Sequence, residues 1–341
     1  MMKKLFLVSI AVLSVQLLQA QGLHFSQFYN APLLLNPANS GLLPDDDYRI
    51  GTQYRTQFST VPVPYRTNNV YGDFGINRNK NENGWLGVGF GLWDDKAGDG
   101  NLRLTKTQLS LAYHVITNDY SMWSVGLGGA YVTRSINFSN LTFLNQWDEF
   151  SFNNDLPNQE NVRVGNVSYI DANVGAKYLY GKDDRFNITV AGSVLHVNQP
   201  RESFLVGGTN RLGMRPVLNV EANFKSGENL IFSPSVYYTS QKRASELLFG
   251  TMTTTNLSRK RYMNNDRNEL LIGAYHRLSD ALIVAGGYNF NNFRFMCSYD
   301  YTISKLASAN SGYGALEFSL GYVARYGRSA SDRRTYGCPR F

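Results

Sequence analysis

The chain has 341 residues, a formal net charge of +7, 17% charged and 13% aromatic residues, and a mean hydropathy of −0.30. The positive balance is mild and, apart from Arg259-Lys260-Arg261 and Arg333-Arg334, scattered, so nucleic acid is not expected as a partner. Two cysteines, Cys297 and Cys338, exclude a disulfide framework, and no cysteine–histidine spacing suggests a metal or other cofactor.

Met1 to Lys4 form a short basic region, Leu5 to Leu18 an apolar run, and Leu18-Gln19-Ala20 precedes Gln21. This is the pattern of a secretory signal peptide cut after Ala20, so residues 1–20 are expected to leave. The apolar run is too short for a membrane-spanning helix, which needs roughly 20 residues. Residues 21–47 follow as an N-terminal lead.

From residue 48 the chain alternates with period two, the mark of strands whose side chains point to opposite faces. About fourteen strands are expected. They fall at 48–57, 69–76, 85–94, 104–116, 122–135, 167–180, 186–197, 215–224, 230–239, 246–254, 269–277, 281–290, 293–303 and 314–326. The clearest segment is Leu86-Gly87-Val88-Gly89-Phe90-Gly91-Leu92, with one apolar wall and one wall of bare glycine. Such a strand lines a crowded interior. Trp85 and Trp93 bracket it but share the glycine phase, so they reach an aromatic girdle only if twist or a bulge turns them.

Tight polar turns at 117–120, 181–184, 225–228 and 289–292 alternate with long connections at 137–166, 198–214 and 304–313. That alternation is the outer-membrane pattern of short periplasmic turns and long outward loops. The connections 76–84 and 255–268 are long for the periplasmic side. The reading is an all-β, transmembrane antiparallel β-barrel at 48–326, with an N-terminal periplasmic or plug segment and a tail at 327–341. Lipid forbids an open sheet edge, so the first strand must pair with the last, and both chain ends are expected on the periplasmic side. Asp171, Lys177, Glu221, Arg294, Asp300 and Glu317 fall in the inward phase, as a polar lumen network or as a substrate path. Pairs between adjacent strands, such as Arg294 with Glu317, are expected.

Catalysis is not expected. Ser110 and His114 share a phase, but four residues along a strand separate them by roughly 13 Å. There is no nucleophile elbow and no phosphate-binding glycine loop.

The chain ends carry a resemblance. Phe25-Ser26-Gln27-Phe28-Tyr29-Asn30, then Leu33-Leu34-Leu35-Asn36-Pro37-Ala38-Asn39-Ser40-Gly41, resemble the opening of the PorP/SprF family of Bacteroidota outer-membrane proteins. Tyr299-Asp300-Tyr301-Thr302-Ile303-Ser304-Lys305-Leu306, Glu317-Phe318-Ser319-Leu320 and the ending Cys338-Pro339-Arg340-Phe341 are similar to later stretches of that family. The resemblance implies a non-enzymatic outer-membrane barrel of the type IX secretion and gliding-motility machinery. It would take part in export or surface anchoring of a large adhesin by receiving that adhesin's C-terminal signal domain. Its implied surroundings are outer-membrane lipid, the adhesin, and periplasmic secretion or motility components. Phe25, Gln27, Phe28, Tyr29, Asn36 and Pro37 would either plug the barrel or dock a partner. Arg340 and Phe341 would bind an acidic partner or end a frayed tail. The alternative is an outer-membrane channel for a small solute.

Overall fold

A computed structural model describes residues 22–326, apart from 44–45, 59–62, 78–82, 99, 138–140, 142, 149, 154, 158–164, 184, 206 and 258–267. The expected leader, Arg259-Lys260-Arg261 and the tail with Arg333, Arg334, Cys338, Arg340 and Phe341 lie outside the described residues.

Among the described residues, fourteen antiparallel strands close into one barrel, each hydrogen-bonded to its neighbours in sequence and β1 to β14. They are β1 Tyr48–Gln57, β2 Tyr65–Ile76, β3 Gly84–Ala97, β4 Leu102–Asn118, β5 Ser121–Ser135, β6 Asn166–Asp183 and β7 Phe186–Leu195. The second half comprises β8 Arg215–Ser226, β9 Leu230–Gln241, β10 Ala244–Asn256, β11 Asn268–Arg277, β12 Ala281–Phe290, β13 Phe293–Thr302 and β14 Tyr313–Ala324. Closure gives every strand a partner on both sides, as a sheet in hydrocarbon requires.

Several strands run past their expected limits because polar cross-strand bonds extend them. Thr67 Oγ1 donates to Asp95 at 2.6 Å between β2 and β3, and Arg103 Nε donates to Asp94 at 2.6 Å between β3 and β4. Conversely, β7 stops two residues early, where His196 takes a left-handed φ of 59°.

The outward phase is apolar, with Ile50, Leu109, Leu111, Val125, Leu127, Ile170, Ile272 and Val284 all exposed on the outer wall. Rings gather near the tight-turn rim. Tyr48 lies 5.6 Å from Tyr326, Phe293 lies 4.9 Å from Tyr322, Trp123 lies 4.7 Å from Tyr178, and Phe186 lies 5.1 Å from Phe224. This is the aromatic belt of a membrane barrel. Cys297 is a free thiol on the outer face. Much of the inward phase is polar or small, with Gln53, Asn69, Gln108, Ser124, Asn173 and Ser298 buried.

Trp85 and Trp93 are not girdle residues. Both are buried in the lumen, in the phase their positions dictate, because β3 pairs in unbroken register with β2 and β4. The Trp85 indole donates to the Gly41 carbonyl at 2.9 Å, and Trp93 packs with Phe25, Leu33, Leu34 and Tyr71.

The inward glycines make room for backbone. A Cβ on Gly87 would overlap the Ser40 carbonyl, and one on Gly126 would overlap the Ala38 amide. Gly129 and Gly192, by contrast, have open space where a Cβ would go. Gly87→Val should therefore displace the lead at an overpacking cost of about 1–3 kcal/mol. Gly192→Ala should leave both thermal unfolding of the purified barrel and proteolysis of residues 22–43 unchanged.

Candidate functional site: the lead inside the lumen

The lead contains three short turns, Phe28–Asn30, Pro32–Leu35 and Pro37–Asn39. Its sequence explains the last one. Asn36 precedes a proline and is accordingly extended, at φ −157° and ψ 121°. Its Oδ1 accepts from the Ala38 amide at 2.8 Å, an N-cap, while Pro37 occupies the first turn position, where no amide is needed. The remaining Asn36 Nδ2 donates to the carbonyls of Ala176 and Gly192, each at 3.1 Å, and so ties β6 to β7.

The lead runs the length of the lumen rather than sitting on the periplasmic side. Its first described residues lie at the long-connection end, where Arg215 Nη1 donates to the Leu23 carbonyl at 3.1 Å. Farther along, Gln108 donates to Leu33 O at 3.0 Å, Ser193 to Leu35 O at 2.5 Å and Ser124 to Ala38 O at 2.6 Å. His114 Nε2 lies 2.9 Å from Ser40 O. At the tight-turn rim Gly41, at φ 64°, donates to Asp73 at 2.9 Å, and Asp47 N reaches Ala324 O at 2.9 Å. Arg49 holds that Asp73 carboxylate through two bonds of 2.9 Å.

A buried ionic cluster anchors the lead near the other end. Glu317 on β14 is fully buried and faces Arg55 directly across the β1–β14 seam. Its two oxygens accept the Ser26 amide at 2.6 Å and the Gln27 amide at 2.8 Å, and Arg55 Nη1 donates to it closely. Ser26 Oγ donates to Asp300 at 2.5 Å and accepts from Arg55 at 2.8 Å and from Arg277 at 2.5 Å. Arg277 also reaches Asp300 at 3.1 Å and Glu246 at 3.0 Å. Gln27 is fully buried, donating to Ser298 at 3.0 Å and accepting from Ser319 at 2.7 Å and Asn30 at 3.0 Å.

Below this cluster, Phe28 stacks on Tyr237 at 5.3 Å and Tyr29 on Tyr275 at 5.8 Å, within an apolar half-lumen that includes Met252, Ile283 and Met296. Phe25 packs on the opposite wall with Leu33 and Trp93.

The structure divides the six expected lumen charges. Asp300 and Glu317 share one cluster. Asp171 belongs to another, with His196 Nδ1 at 2.8 Å and Lys106 Nζ at 3.4 Å. Lys177 reaches the lead at Asn39 Oδ1, 3.3 Å away, and Glu221 accepts from Asn223 at 3.4 Å. Arg294 does not pair with Glu317. The register sets it opposite Gly321, where it is exposed and donates to Asn289 at 3.0 Å, while Glu317 lies opposite Ser298 on that side. Arg55, Arg277 and Ser26 escaped sequence reading. Arg55 sits in the inward phase of β1, so the expected closure of first on last strand was the signal that could have found it. Ser110 accepts from Gln108 at 2.9 Å, and His114 is turned to the lead.

Removing one partner from a buried ion pair leaves an uncompensated charge, at a cost of about 3–5 kcal/mol. Arg55→Met and Glu317→Leu should each destabilise the barrel by that order in denaturant unfolding, and the double variant should lose clearly less than their sum. Asn36→Asp keeps the cap but sets an anion against two carbonyls, so it should lower the unfolding midpoint more than Asn36→Ala does.

Solved structures share this architecture. The Ralstonia pickettii toluene transporter TbuX superposes with a TM-score of 0.52 at 11% identity, covering 87% of this chain and 94% of its own. The CymD monoaromatic hydrocarbon channel gives 0.53 at 10% identity, covering 88% and 93%. At such identity the likeness establishes the fold alone. No curated protein matches the sequence. Residues 17–322 match the family model of the type IX secretion system membrane protein PorP/SprF, and the chain belongs to this family of outer-membrane barrels.

Proposed function

We propose that this barrel receives the C-terminal signal domain of one large secreted adhesin and supports its export or its anchoring at the cell surface. Periplasmic secretion or motility components are its further partners. The observation that carries this reading, beside the family itself, is the occupied lumen. The lead lies where a solute would pass, held by Glu317, Asp73 and Asn36. A barrel closed in this way acts through its rims and its lead rather than through bulk permeation. Ser110 and His114 bond to Gln108 and to the lead rather than to each other. The competing reading is a channel for a small solute. The named hydrocarbon transporters have this fold, but the fold alone brings no substrate with it.

A deletion strain separates the two. Loss of one adhesin from the surface, with solute uptake intact, is the expected result; normal surface proteins with defective uptake would reverse it. Mild-detergent purification of the tagged barrel should also recover a large adhesin or a periplasmic component of the machinery, and recovery of neither would count against the proposal.

A further inference from the structure

The long-connection mouth of the barrel holds a cavity of about 290 Å³, beyond the first described residues of the lead and bordering the ionic cluster at Glu246. Gly22 of the lead lines it, together with the ends of β5, β8 and β9, the start of β10 and the 196–214 connection. Three cationic side chains line it, Arg134, Arg215 and Lys242, against two carboxylates, Glu202 and Glu246.

Both carboxylates are committed. Glu202 accepts from Arg134 Nη1 and from the Tyr169 hydroxyl at 2.6 Å. Glu246 accepts from Arg277 at 3.0 Å. Of the cations, only Arg134 pairs with one of these carboxylates, and through one end of its guanidinium. Arg215 is buried, yet its partners among the described residues are neutral: Thr239 Oγ1 at 3.0 Å, Leu23 O at 3.1 Å and the Tyr237 hydroxyl at 3.3 Å. Arg134 Nε is a buried donor with no acceptor among the described residues, and such a group is destabilising while it stays unpaired. Lys242, held at φ 53° in the β9–β10 turn, reaches among the described residues Asn210 Oδ1, at 3.4 Å.

We propose that this mouth cavity binds a small monocarboxylate, its carboxylate between Lys242 and the Arg134–Arg215 side and its body against Leu212 and Ala244. The charge balance favours one negative charge over a phosphate dianion, because the lining carries one net positive charge. Guanidinium groups suit planar carboxylates. The volume, about 290 Å³, lies just below the roughly 300 Å³ at which ligand pockets begin, and so suits a small ligand. The site is independent of adhesin binding and survives if that reading fails.

The test is calorimetric titration of the purified full-length barrel, in zwitterionic detergent, with hexanoate, its neutral isostere hexanamide and inorganic phosphate. Hexanoate should bind one to one, and hexanamide and phosphate at least tenfold more weakly. Lys242→Glu, on an exposed turn outside the lumen core, should weaken hexanoate at least tenfold, and Lys242→Arg should restore it. Absence of hexanoate binding, equal binding of hexanamide, preference for phosphate, or indifference to Lys242→Glu would each overturn the assignment.

Discussion

A single buried carboxylate organises this molecule. Glu317 sits on the last strand, has no access to water, and is balanced by Arg55 on the first strand and by two successive amides of the lead. An ionised group in such a place is tolerable only when it is paired and fully hydrogen-bonded. The closure seam of the barrel and the docking of the lead therefore satisfy the same charge. Losing either removes bonds that this charge depends on, so closure of the barrel and docking of the lead are coupled.

The wall accommodates this by being asymmetric in size as well as polarity. Outward positions carry large apolar side chains that meet lipid. Inward positions on β3 and β5 carry Gly87, Gly89 and Gly126, where any side chain would strike the lead. Close backbone approach then lets wall side chains such as Ser124 and Gln108 satisfy lead carbonyls that would otherwise be buried unpaired. The lead needs almost no regular secondary structure of its own, because the wall supplies its partners.

The architecture was largely legible in the chain. Period-two alternation gave the strands and their faces, and tight turns against long connections marked out the two rims. The inward phase gave Asp300 and Glu317. The partners of these groups were not legible. Alternation states which face a residue occupies but not the register of the neighbouring strand, so Arg294 looked suitable for Glu317, while Arg55, which the register sets opposite it, was missed. The Trp85 and Trp93 positions show the same limit in reverse: their phase was correct, and the analogy to girdle residues was not.

What the sequence determined by itself was an outer-membrane barrel with a distinctive lead, because burial in lipid imposes alternation and closure on any chain that spans with strands. The tertiary structure decided where the lead goes. Ser26 and Glu317 are 291 residues apart and meet only because β1 closes on β14. The motifs of the two chain ends are thus two sides of one buried interaction. That fact follows from the barrel's register and from the space its glycines leave, and neither is written in any local stretch of sequence.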